Sequence, residues 1–137
     1  MKVAILDTSV YITHGERKLS DFVLTALRRA YVVRHSAVVL SELRRGASTA
    51  TARRWVAGLA QTATQIWAPI AADWWQAGRL IQELGDDRQW NPGKRRDFQN
   101  DALIALTARR HGATVVTADR ADFQLLAGKL TIQVRFV

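Results

Sequence analysis

Two short segments, neither long enough to be a helix, constrain this chain most. Val-Ala-Ile-Leu at residues 3–6 is an apolar run without polar alternation, and Thr-Val-Val-Thr at 114–117 reads as a second strand. Strands that read as continuous apolar runs are buried on both faces, as in parallel sheets covered by helices. The intervening segments follow a helical period. Residues 19–30 put Leu19, Phe22, Val23, Ala26, Leu27 and Ala30 on one face; in 98–111, Phe98, Ala102, Ala105 and Leu106 do the same before a C-capping Gly112. Further helices are expected over 37–46, 51–61, 71–84 and 121–127. Further strands are expected near 31–34 and 131–136, with a brief extended piece at 66–67. Residues 85–96 (GDDRQWNPGKRR) read as the one clear loop, with Asn-Pro-Gly turn chemistry. Strands alternating with helices predict an α/β domain: a central parallel sheet of four to five strands flanked by helices.

A length of 137 residues fits one domain over 1–137. With no cysteine, disulfides, thiolate metal sites and a cysteine nucleophile are excluded, and a reducing compartment is favoured. The apolar stretch before Asp7 is too short for a signal-peptide core, and no window suits a membrane span, so a cytoplasmic protein is expected. Basic residues outnumber acidic ones 20 to 12, and 16 of the 20 are Arg. Guanidinium groups bind phosphates at two points, so the excess points towards nucleic acid, although a solubilising surface looks the same in composition.

In an open parallel sheet, ligands bind beyond the carboxyl ends of the strands. Asp7 directly follows the first strand, and Asp119 lies two residues past Thr117. If those strands pair, both carboxylates share one edge. Glu42 sits in AVVLSELRRG beside a stripe of Val39, Leu43 and Gly46, where it is also placed to pair with Arg44 or Arg45. Asp101 precedes a nearly continuous apolar run; it reads either as a capping acid or as a residue inside the helix. Asp122 falls in the first turn of the short helix after Asp119, a capping position. Each acid has an ordinary structural reading. Gathered together, they would repel until one took up a proton or a hard cation joined them, and Mg²⁺ or Mn²⁺ prefers such oxygen ligands. A carboxylate-held metal beside a basic surface suits phosphodiester hydrolysis by a metal-activated water.

VAILDTSVYI (3–12), SELRRGA (41–47), QNDALIALTARRHG (99–112) and TVVTADRADF (114–123) resemble the four acidic motifs of PIN-domain ribonucleases. The likeness is greatest to VapC-type toxins of type II toxin–antitoxin pairs. It spans nearly the whole chain in the family's order, with the acids spaced 35, 59 and 18 apart. The resemblance implies a three-layer PIN fold and Mg²⁺- or Mn²⁺-dependent endoribonuclease activity. It also implies a homodimer and an antitoxin that places a segment, often an Arg, into the acidic pocket. Asp7, Glu42, Asp101 and Asp119 match the catalytic, metal-binding quartet, and Asp122 matches a further acid of many members. By this reading Asp7, Asp101 and Asp119 hold one cation, and Glu42 ligates it through water or orients the attacking water. Thr8 and Thr117 match hydroxyls that hydrogen-bond the acids or the metal waters; Asn100 matches a common position with a structural job.

Residues 85–98 depart from the family pattern, being longer and more basic than the usual approach to the third acid. Arg95 and Arg96 are candidate RNA contacts, and Trp90 either stacks on a base, packs against a partner or tucks into the fold. Trp74 and Trp75 point about 100° apart on a helix, which places one of them at a face boundary or interface. His14, His35 and His111 are isolated, and none is placed as a general base. Two other readings compete: a metal-dependent phosphatase or DNA nuclease, and a non-catalytic RNA- or protein-binding module. Aspartate-nucleophile phosphatases usually carry a second acid two residues on, where this chain has Ser9. A binding module is disfavoured because all four acids are present.

Overall fold

The computed structural model describes residues 1–137. In chain order, β1 (Lys2–Leu6) leads to α1 (Thr8–Gly15), α2 (Asp21–Ala30), β2 (Tyr31–Ser36), α3 (Ala37–Gly46) and α4 (Ala50–Thr62). The short β3 (Ile66–Trp67) follows, then α5 (Ala71–Arg88), α6 (Pro92–Arg110), β4 (Thr114–Thr117), α7 (Arg120–Lys129) and β5 (Gln133–Phe136). The five strands form one parallel sheet in the order β3-β2-β1-β4-β5. The chain moves outward from β1 to β3, then returns to place β4 on the other side of β1. Right-handed crossovers run in opposite directions from that point and put their helices on opposite faces of the sheet.

Burial follows from the two short segments. Ala4, Ile5 and Leu6 of β1 and all four residues of β4 are buried. In α6, every residue from Ala102 to Ala108 is buried, as in a helix that runs through a core rather than over it. Phe98 and Phe123 are fully enclosed beside it. No helix is long and apolar enough to cross a membrane.

The loop expected over 85–96 is corrected by the structure. Here α5 continues to Arg88 and α6 starts at Pro92, so only residues 89–91 connect them. Gln89 takes the left-handed conformation (φ 55°) that closes α5. Asn91 then caps α6, its Oδ1 accepting from the Lys94 backbone N–H at 2.8 Å, and Pro92 occupies the first turn. Asn-Pro-Gly thus acts as a helix start rather than a turn. Gly85 is buried because the Arg95 guanidinium lies over it; a Cβ there would come within 2.6 Å of Arg95 Cζ. A second difference is α1, which the sequence pattern does not indicate. Both Trp74 and Trp75 are exposed, at 50% and 86%, so neither joins the core.

Candidate active site

The strand order reverses between β1 and β4, where a doubly wound sheet opens a crevice at its carboxyl edge. The Asp7 backbone N–H donates to Val116 O at 2.8 Å, which carries the pairing one residue past β1 and fixes Asp7 at that edge. Asp7 also caps α1 and is 3% exposed. Its Oδ2 accepts from Ser9 Oγ at 2.6 Å and Thr117 Oγ1 at 2.9 Å. Ser9 Oγ in turn accepts from the Ala118 N–H at 3.0 Å, and Thr117 Oγ1 accepts from the Asp119 N–H at 3.0 Å. The two hydroxyls therefore lace the end of β1 to the loop after β4.

Asp119 caps α7 by accepting from the Asp122 N–H at 3.1 Å. That cap sets Asp122 in the first turn of α7, next to Asp119. Asp101 lies inside α6, not at its start, and projects from the buried helix towards the same edge. Carboxylate oxygens of Asp101, Asp119 and Asp122 lie within 4.8 Å of one another. Asp7 is near enough for its charge to act on Asp101. Glu42 stands beside this group, not within it: its Oε1 accepts from Thr8 Oγ1 at 2.8 Å. It forms no ion pair with Arg44 or Arg45.

Burial, with like charges crowded beside it, sets the electrostatics. Burial pushes the Asp101 carboxyl up to about 9, helped by its hydrogen bond to Asp122 and the charges of Asp7, Asp122 and Asp119. Asp101 thus keeps a proton near neutrality. Burial raises the Asp7 carboxyl too, opposed by hydrogen bonds from Ser9 and Thr117. All the donors are hard carboxylate oxygens, and the acids outnumber the single ammonium that reaches them, Lys94 on Asp122. That set fits an oxygen-seeking divalent cation.

Two participants carry no sequence signal of their own. In the sequence Ser9 marks only the place of a missing second acid, yet its hydroxyl touches Asp7 and Thr117. Lys94, from the supposed loop, reaches Asp122 with Nζ to Oδ1 at 2.8 Å. Its neighbours point elsewhere. Arg95 pairs with Asp86 at 3.2 Å and donates from Nε to Trp90 O at 3.1 Å, while Arg96 is exposed. Trp90 is half-buried against Phe98, ring centroids 4.9 Å apart. Asn100 lines a separate groove with Ser41, Arg45 and Trp74. No histidine joins the cluster: His14 meets Asp21, His35 lies in β2, and His111 stacks on Trp67 at 3.9 Å.

A model of the PIN domain family matches residues 4–129. No curated protein sequence matches the chain. Among solved structures, VapBC-1 from nontypeable Haemophilus influenzae aligns with a TM-score of 0.70 at 20% identity, covering 98% of this chain and 97% of that one. VapBC2 from Rickettsia felis, bound to a promoter DNA fragment, aligns at 0.68 and 19%, covering 98% of both chains. VapBC-5 from Mycobacterium tuberculosis aligns at 0.63 and 22%, covering 100% of both. At these identities the likeness is one of fold.

Proposed function

The chain belongs to the PIN domain family, and from that premise we propose that it is a VapC-type toxin, a metal-dependent endoribonuclease that cuts RNA at the β1/β4 edge. One observation supports this above the rest: carboxylate oxygens of Asp101, Asp119 and Asp122 converge within 4.8 Å, with Asp7 near enough for its charge to act on Asp101. Asp7, Asp101, Asp119 and Asp122 would hold Mg²⁺ or Mn²⁺, with Glu42 at the margin. A divalent ion bound there supplies the charge that acidifies water and offsets the negative charge growing on the phosphate oxygens.

The chain's own residues prepare that chemistry. Ser9 and Thr117 hold Asp7 in one rotamer, so its orientation costs nothing more when substrate arrives. Thr8 fixes one Glu42 oxygen and leaves the other free to accept a proton or orient water. Arginine supplies most of the chain's positive charge, and the exposed Arg96 and Arg120 offer guanidinium groups to RNA phosphates.

The same reading assigns a cognate antitoxin, a homodimer and a cytoplasmic place of action. An antitoxin's guanidinium would fill the acidic pocket as a cation does. The test of function is cleavage of structured and unstructured RNA with Mg²⁺ or Mn²⁺, wild type against Asp7→Asn. Cleavage by the wild type alone supports it; equal cleavage by both, or none by either, overturns it.

A further inference from the structure

The acidic cluster already contains a cation. Lys94 is the only basic residue within ion-pair distance of Asp7, Asp101, Asp119 or Asp122, and it meets Asp122 at 2.8 Å. Its place is built, not accidental. Lys94 lies seven residues before Asp101 on α6, and seven residues are nearly two full turns, so both stand on one face. The Nζ is 5.3 Å from the Trp90 ring centroid and 5.5 Å from that of Phe98. Those rings pack on each other, and Phe98 is fully buried. Behind them, Arg95 grips the Trp90 carbonyl while paired with Asp86. A ladder from Asp86 through Arg95 and Trp90 thus sets where one ammonium sits.

We propose that Lys94 is the resident counter-ion of the site: it neutralises Asp122 in the metal-free chain, a divalent cation displaces it, and the freed ammonium then holds an RNA phosphate oxygen. This rests on the metal-dependent nuclease reading. An ammonium and a divalent cation repel when both face one carboxylate cluster, so they compete for Asp122. The Lys94 side chain is about one-third exposed, at 36%, while Asp122 is 14% exposed. The ammonium therefore has a path outward to where a polyanion approaches, and the carboxylate does not follow it. One residue then serves two states, holding the empty cluster together and attracting substrate to the filled one.

The experiment measures Mn²⁺ binding to the metal-free full chain by calorimetry, without RNA, for wild type, Lys94→Met and Lys94→Arg. Methionine keeps an apolar stem against Trp90 and Phe98 but carries no charge. Lys94→Met is expected to bind Mn²⁺ about tenfold more tightly, and Lys94→Arg within about threefold of wild type. At saturating Mn²⁺, Lys94→Met is expected to cleave RNA with kcat/KM lowered about tenfold or more, and Lys94→Arg to restore most of it. Tighter metal with slower cleavage is a pair of opposite changes that loss of packing does not produce. If Lys94→Met binds Mn²⁺ no better than a metal-binding wild type, or cleaves as fast, this proposal alone falls. If none of the three binds Mn²⁺, the metal reading beneath it falls too. Should Lys94→Met not fold, Lys94→Gln is read in the same way.

Discussion

Divalent cation affinity should rise steeply with pH, because the cation has to expel a proton. The ordinary value for an Asp carboxyl is 3.8, and burial among Asp7, Asp119 and Asp122 raises Asp101 to about 9. From pH 6 to 8 the ionised fraction of such a group grows about tenfold per unit, so affinity should grow about 100-fold over that range. The raised Asp7 can only steepen this. Calorimetric titration with Mn²⁺ at pH 6, 7 and 8, in two buffers of different ionisation heat, counts the protons released. At least about one proton per ion is expected at pH 7. Asp101→Asn should bind more weakly and release about one proton fewer. The metal-free fold should respond with the opposite sign. Between pH 3.8 and about 9 the folded chain keeps a proton on Asp101 that the unfolded chain loses, so stability falls as pH rises through that window. Added Mn²⁺ should therefore raise Tm more at pH 8 than at pH 6. Affinity constant within about twofold from pH 6 to 8, with no proton release, would refute the electrostatic argument.

Other expectations separate holding the fold from doing chemistry. Asp7→Asn should abolish cleavage yet leave Tm in chelator unchanged or higher, since burial disfavours the ionised Asp7 carboxyl; a large fall in Tm would contradict this. Thr117→Val removes the donor to Asp7 and the acceptor for the Asp119 N–H, and should cost about 1–3 kcal/mol in urea unfolding. Phe98→Ala empties a fully buried site and should cost about 3–5 kcal/mol by the same measurement. Arg96→Ala should weaken RNA binding at low salt with little change in Tm. Arg95→Ala, by contrast, should lower Tm, because Arg95 is tied to Asp86 and the Trp90 carbonyl.

Much of the site can be read from residue order, and the misses have physical causes. Asp7 and Asp119 are legible because each follows a short strand segment, and a parallel sheet places such loops at one edge. Asp101 stays between cap and interior because Arg95-Arg96-Asp97 show no apolar period; the start of α6 at Pro92 settles it as interior. The same Asn-Pro-Gly residues that mark a turn also mark a helix start, and only the long apolar helix behind them decides. α1 is hidden by Thr8, Val10, Ile12 and Thr13, β-branched residues with weak helix preference. The Asp7 cap and the burial of Val10 and Tyr11 override that preference. Glu42 looks ready to pair with Arg44 or Arg45, but a hydroxyl 34 residues away takes it instead. Lys94 meets Asp122 across 28 residues, a separation that no local pattern encodes.

By the function proposed above, the β1/β4 carboxylates hydrolyse RNA by directing water at phosphorus with a divalent cation. Mass spectrometry of cleaved RNA, made in ¹⁸O-water with Mg²⁺ or Mn²⁺, tests it most directly. Linear phosphate ends carrying one solvent oxygen are predicted, formed by wild type and absent with Asp7→Asn or chelator. Ends closed as 2′,3′-cyclic phosphates without solvent oxygen, or cleavage that persists in chelator, would contradict it.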